Sequence, residues 1–267
     1  MKLGFLGAGN MAGAIIQGLL SKNAVQGADI MISRRDAAKR AKLAAEWGVL
    51  EAKDNIELVT SCDVVILAVK PYFLRKVIEE IKDSIGDRQV VSIAAGWSFA
   101  ALQEAFLPAK PPILRLSVNT PVLTGEGTTV LCEETSFSPE GMKWAEEVFA
   151  ALGTVRTLPE RLLNAVVAVS GSGVAYVYAF IEAMGDGAVR LGLPRDAAYE
   201  MAAQTMIGAG KMLLATGSHP GALKDAVCSP AGSTIEAIYE LEKHGFRGTV
   251  MAAMDACAEK LIKMSSN

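Results

Sequence analysis

Apolar and polar positions alternate in blocks along the first half of the chain. Lys2–Leu6, Asp29–Ser33, Asp63–Val69, Gln89–Ala94 and Ile113–Val118 are short runs dense in valine, isoleucine and leucine, and they read as strands. Between them, Met11–Leu20, Ala37–Trp47, Leu74–Ile85 and Phe99–Phe106 carry helical spacing. Buried strands separated by one helix each predict right-handed crossovers and a mostly parallel sheet. A further strand, Gly127–Cys132, precedes a helix over Pro139–Leu152 whose start is marked by Ser138 before Pro139.

After about Pro159 the pattern changes. Strand signals stop, and segments rich in alanine, methionine and leucine follow one another to the end. A helix starts at Leu193-Pro194-Arg195-Asp196 and runs through Leu214, Thr216–Gly221 is a loop, and the last helix covers roughly Gly248–Met264. These helices are apolar nearly all round and have no sheet to cover. Their second face is therefore expected to pack on another copy, giving an obligate homodimer through the C-terminal half. Leu162–Ile181 carries no charge and is long enough to span a bilayer. Ser170-Gly171-Ser172-Gly173 in its middle would break a lipid-exposed helix, so the stretch reads as two buried helical segments joined there, with no membrane involved.

Composition narrows the function classes. Of 267 residues, 51% are hydrophobic and 21% charged, enough for a sizeable core without long disordered tails. A net charge of −3 with no basic run excludes a nucleic-acid binder. Four cysteines lie far apart and there are two histidines, which excludes a disulfide framework and leaves no zinc or other metal site in view. No secretory signal is recognisable ahead of the first strand, so a cytoplasmic location is expected.

Gly7-Ala8-Gly9-Asn10-Met11-Ala12 directly follows the first strand and opens the first helix. Gly7 permits a tight reversal, Gly9 lets the backbone approach a pyrophosphate, and Ala12 allows close packing of helix on strand. Alone, the motif is also an ordinary glycine turn. The strand before it, the helix after it and the strand Asp29–Ser33 supply the context of a dinucleotide site. The expected fold is thus α/β: a Rossmann-type, doubly wound, mostly parallel sheet over residues 1–158 that binds the dinucleotide. A C-terminal all-helical dimerisation and substrate-binding domain over 159–267 follows. Ser33-Arg34-Arg35 stands where an NAD-preferring site has an acidic residue. Two guanidinium groups and a hydroxyl suit a 2′-phosphate, so NADP(H) is favoured, with NAD(H) as the alternative. The plainer reading is that the arginines flank a helix start capped by Asp36. Ala68-Val69-Lys70-Pro71 and Ala94-Ala95-Gly96 close two further strands, where ligands sit in open α/β sheets.

The stretch Leu223-Lys224-Asp225-Ala226-Val227-Cys228-Ser229-Pro230-Ala231-Gly232-Ser233-Thr234-Ile235 closely resembles the signature of pyrroline-5-carboxylate reductases. Gly7–Ala12, Leu67–Pro71, Ala94–Gly96, Asn119-Thr120-Pro121, Gly125–Gly127 and Ser170–Gly173 extend the resemblance over essentially the whole chain. It implies reduction of the C=N bond of 1-pyrroline-5-carboxylate by NAD(P)H to give L-proline, the final step of proline biosynthesis. By the same resemblance, the nicotinamide lies near Ala94–Gly96 and Asn119-Thr120-Pro121, and the adenosine ribose and phosphate lie near Ser33, Arg34 and Asn55. The substrate sits at Val227, Ser229, Gly232, Ser233 and Thr234 across the dimer interface, and dimers of this family often assemble into decamers.

The chemistry agrees independently. A protonated imine accepts hydride without metal or covalent catalysis, so the protein has mainly to position donor and acceptor. A helix starting at Ser233-Thr234 presents backbone N–H groups suited to a carboxylate, and the Thr234 hydroxyl can hydrogen-bond the ring nitrogen as the catalytic contact. Ser229 or Ser233 can instead act as a simple N-cap. The chain departs from the family at Ser117-Val118 (often Met-Pro), Val167 (often Thr), Val174 (often Pro) and Ala231 (often Gly). Two rival readings are a β-hydroxyacid dehydrogenase using Lys211 as general base, and a relative that binds NADP(H) without turnover.

Overall fold

The computed structural model describes residues 1–265. Eight strands form one sheet: β1 Leu3–Leu6, β2 Ile30–Ser33, β3 Leu50–Glu51, β4 Val64–Leu67, β5 Gln89–Ser92, β6 Ile113–Val118, β7 Gly127–Cys132 and β8 Gly153–Leu158. Their spatial order is β3-β2-β1-β4-β5-β6-β7-β8. The strands β1 to β6 run parallel, β7 turns antiparallel to β6, and β8 runs parallel to β7. The chain moves outward from β1 to β3, then returns to the other side of β1 for β4. That reversal is the switch point of a doubly wound sheet, where the carboxyl ends of the strands open a cleft.

The connecting helices are α1 Asn10–Ser21, α2 Ala37–Trp47, α3 Asn55–Ser61, α4 Pro71–Ile81, α5 Phe99–Ala105 and α6 Pro139–Ala150. Side chains alternate across the strands, and this sorts the core onto two faces. Phe5, Ile66, Val91 and Leu114 pack with Ile15, Ile16 and Leu19 of α1. Leu6, Leu67, Val90 and Ile113 face the opposite way, onto Leu58, Leu74, Ile78 and Phe106.

The remaining helices are α7 Leu163–Val166, α8 Gly173–Arg190, α9 Arg195–Thr216, α10 Pro220–Ala226, α11 Ser233–Lys243 and α12 Phe246–Ser265. The chain forms two compact units, one of Met1–Gly171 with the chain from Cys257 onward, the other Ser172–Ala256. The unit holding the sheet thus extends past residue 158. In the second unit α8 and α9 approach closely at Gly185, where an added Cβ would lie 2.4 Å from the Tyr199 ring. Arg195 Nη1 and the Tyr199 hydroxyl both donate to Asp186 Oδ1, at 2.7 and 3.1 Å.

The expectation for Leu162–Ile181 needs correction. The junction is a π-helical turn, Val167–Gly171, that widens the helical path instead of breaking it. Nor are the segments buried within one chain: in the apolar window of Glu160–Arg190, only 17% is covered. Within residues 172–256 the buried positions are Gly173, Gly185, Ala198 and Ala202, whereas Leu191 is 84% and Leu214 82% exposed.

Candidate active site

The turn after β1 is fixed from both sides. Gly7 has φ +100°, and a Cβ there would lie 2.9 Å from the Ala68 carbonyl oxygen, so only glycine fits. Its N–H donates to Ser33 O at 3.1 Å, and Ala68 N donates to Leu6 O at 2.9 Å, which ties the tips of β2 and β4 to the turn. Gly9 caps α1 without any side-chain hydrogen bond, and nothing lies within 4 Å of where its Cβ would be. The first turn of α1 thus has no side-chain cap, and the space beside Gly9 is open at the positive end of the helix dipole. That arrangement fits a dinucleotide pyrophosphate.

Beside this cradle, Ser33 is buried at the end of β2, and its hydroxyl donates to Oδ1 of Asn55, the first residue of α3. Asn55 Nδ2 in turn donates to Glu80 Oε2 on α4 at 3.0 Å. Arg34 Nη1 donates to the Ala8 carbonyl at 2.6 Å, clamping the glycine turn. The exposed Arg35 guanidinium lies 4.4 Å above the Phe73 ring, which packs on Tyr72 at 4.3 Å. Asp36 caps α2 by accepting from Lys39 N at 3.0 Å, so the plainer reading of this segment holds for Asp36 while both arginines have partners elsewhere.

Ala68 and Val69 are half-buried beyond β4, and Pro71 takes the first position of α4 after the exposed Lys70. Trp97 Nε1 donates to Pro71 O at 3.2 Å, joining the loops after β4 and β5. Between them stand the small residues Ala94, Ala95 and Gly96, the last with φ +79°. Asn119 follows β6 and is buried; its Oδ1 accepts from Thr128 N at 2.8 Å and its Nδ2 donates to Ser170 O at 3.1 Å. Its side chain is thus engaged within the protein. All the proposed cofactor residues of the first unit lie at the carboxyl ends of the parallel strands. Phe73 and Glu80 stand behind this group, touching Arg35 and Asn55, although neither stands in a motif; the apolar stripe of α4 hides them.

In the second unit, Val227 ends α10 and is 65% exposed. Ser229 O accepts from Gly232 N at 3.0 Å, closing a tight loop, and a Cβ on Gly232 would meet Ser229 Oγ at 2.6 Å. Ala231 sits in this loop with φ +56°. The helix α11 begins at Ser233 and is capped by Gly232 with no side-chain hydrogen bond. Neither Ser229 nor Ser233 caps it, so among the described residues no side chain accepts from the amides at its start, that of Thr234 included. Just before the loop, Lys224 pairs with Asp225, which raises the lysine pKa and holds its ammonium charged. His219 accepts from Gly221 N at 3.1 Å and so caps α10 as an ordinary loop residue.

Known proteins converge on one family. Residues 160–264 match the family described as pyrroline-5-carboxylate reductase dimerisation, and residues 2–96 match NADP oxidoreductase, coenzyme F420-dependent. The pyrroline-5-carboxylate reductase of Escherichia coli is 42% identical over 267 residues, covering 100% of this chain and 99% of its own. That of Arabidopsis thaliana is 37% identical over 267 residues, covering 100% and 96%. The crystal structure of Plasmodium falciparum pyrroline carboxylate reductase with NADP bound superposes with a TM-score of 0.89 at 30% identity, covering 99% of this chain and 98% of that one. The chain belongs to the pyrroline-5-carboxylate reductase family, oxidoreductases that make proline from 1-pyrroline-5-carboxylate.

Proposed function

We propose the following division of labour for the reduction of 1-pyrroline-5-carboxylate to L-proline by NAD(P)H. Residues 1–158 bind the cofactor, and residues 159–267 dimerise and present the substrate loop. The amides of Asn10, Met11 and Ala12 hold the pyrophosphate, with Gly7, Ala8 and Gly9 shaping the approach. Ser33, Arg34, Arg35 and Asn55 face the adenosine ribose; Ala68–Pro71, Ala94–Gly96 and the backbone at Asn119 flank the nicotinamide half. The reduced nicotinamide supplies the hydride.

The single observation that carries the substrate assignment is the start of α11, whose amides no side chain caps. They bind the substrate carboxylate, and Val227, Ser229, Gly232 and Ser233 shape the pocket around it. The Thr234 hydroxyl hydrogen-bonds the ring nitrogen, accepting from it when the imine is protonated and donating to it when it is neutral, and fixes the face turned to the donor. The loop Val227–Thr234 contains no carboxyl, imidazole or ammonium group. The imine therefore arrives protonated or takes its proton from water or Thr234, and catalysis is mostly positioning. Thr234→Ala is expected to lower kcat/KM by about 10- to 100-fold, the scale of one lost hydrogen bond to a charged group. NADPH consumption with 1-pyrroline-5-carboxylate measures this, and wild-type turnover and affinity in that variant would remove Thr234 from the site.

The exposed apolar helices of the second unit pack on a second copy, not on lipid, and such dimers assemble into a decamer in the cytoplasm. Light scattering in detergent-free buffer tests this: masses of twice or ten times the 28.1 kDa chain are expected, and a monomer would refute it.

A further inference from the structure

We propose that Glu80 is a positioning residue that sets the balance between NADPH and NADH through a relay of fixed hydrogen-bond polarity, Glu80–Asn55–Ser33. The inference rests on the reading of Ser33 and Asn55 as the ribose subsite. A carboxylate only accepts hydrogen bonds, so the Asn55 amide must turn its NH2 toward Glu80, where Nδ2 lies 3.0 Å from Oε2. That choice leaves Oδ1 facing Ser33, whose hydroxyl must then donate to it. Ser33 is 3% exposed, so few other partners are open to it. The polarity of the whole relay is therefore dictated from its outer end, by a residue on another helix.

The consequence falls on the cofactor. With its proton committed to Asn55, Ser33 offers the ribose subsite only lone pairs. A ribose 2′-hydroxyl can donate to them. A 2′-phosphate has nothing to donate once ionised and needs the Ser33 proton for itself. Arg34 is likewise partly committed, to the Ala8 carbonyl. Binding of NADPH must turn the relay against Glu80, whereas NADH binds it as it stands. Arg35, exposed over Phe73, supplies the compensating charge.

The test is steady-state kinetics of the purified enzyme with each cofactor, for the wild type, Glu80→Gln, Glu80→Ala, Ser33→Ala and Ser33→Ala/Glu80→Gln. Glu80 is exposed, so both of its substitutions leave the core untouched. In Glu80→Gln and Glu80→Ala, the ratio of kcat/KM for NADPH over NADH is expected to rise about fivefold, the worth of one exchanged hydrogen bond. The change is carried by KM, with kcat unchanged. In the Ser33→Ala background the Glu80 effect is expected to vanish, because the two residues act through one chain of bonds. Simple repulsion between Glu80 and the phosphate would instead survive Ser33→Ala and fade from roughly 0.05 to 0.5 M salt; that outcome overturns the relay. So does a ratio unmoved in both Glu80 variants while Ser33→Ala shifts it. If Ser33→Ala changes neither cofactor's KM, the ribose-subsite reading itself fails.

Discussion

Ala231 holds a left-handed backbone, φ +56°, in the loop that carries the substrate assignment. An L-residue there places its Cβ against its own backbone, a penalty glycine escapes. Ala231→Gly is expected to raise the unfolding free energy by ~0.5–1 kcal/mol despite the extra freedom glycine has in the unfolded chain. Denaturant melts at fixed protein concentration measure it, and a destabilised variant would show that the methyl group earns its place by packing. The departure from the family glycine is visible in the sequence; the positive φ that gives it a cost is not. Asn119 is the opposite case: it sits in a recognisable motif, yet its side-chain bonds to Thr128 and Ser170 depend on a strand pairing and a helical turn that no local pattern encodes. Two buried thiols add a pH dependence. Burial, and then the charge of Asp63, raises Cys62 to about 11; burial, and then a hydrogen bond with Glu134, raises Cys132 to about 12. The folded state keeps protons that the unfolded chain sheds from 9.0 upward. Their contribution is therefore complete at neutral pH and declines as pH rises through the folded values. Stability measured against pH should fall above about pH 9, and Cys62→Ala/Cys132→Ala should flatten that limb.

At the scale of elements, Glu160 fastens the turn before α7 to the sheet within the first unit. Its Oε1 accepts from the Phe99 amide at the start of α5 and from Arg115 Nη1 on β6, both at 2.7 Å. Its own N–H donates to Glu134 Oε2 at 2.6 Å. The Arg115 and Glu160 side chains are only 11% and 23% exposed, so removing the carboxylate leaves a guanidinium and a helix-end amide poorly solvated. Glu160→Ala is expected to cost ~2–3 kcal/mol, well above a surface ion pair. A thermal midpoint within a degree of the wild type would contradict this. The long-range partners of Glu160 are invisible in sequence. The parallel core was legible because β1, β4 and β5 are apolar on both faces and bounded by glycine or polar residues. Three elements were not. The edge strand β3 has two residues, too few for a period, and β8 reads Gly-Thr-Val-Arg-Thr-Leu, whose polar alternation reflects a half-exposed edge. The short α3 escaped because seven residues, about two turns, hold too little of a stripe to read. Its start signal was nonetheless present: Asp54 caps the helix by accepting from Glu57 N at 2.7 Å, and Glu57 reaches back past the cap to accept from Lys53 N at 2.6 Å.

At the scale of the molecule, the helical unit cannot owe its stability to its own core. Its buried positions are two glycines and two alanines, and large apolar side chains at Leu191, Met201, Ile207, Met212 and Leu214 face outward. Burying a leucine is worth ~1.5–3 kcal/mol, so a few such positions covered by a second copy outweigh what four small residues provide. Folding of residues 172–256 must then be coupled to association. Because a dimer that binds only in the folded state makes stability depend on concentration, the unfolding midpoint should fall on dilution. About a hundredfold dilution is expected to lower it by roughly 3–5 °C, for a chain of this size. Activity should decline over the same concentration range, since the loop proposed to bind the substrate lies in this unit. Circular dichroism and progress curves across a dilution series read both quantities. A midpoint independent of concentration, with full activity in a species of monomer mass, would mean that these helices are stable alone and that the exposed leucines serve some other contact.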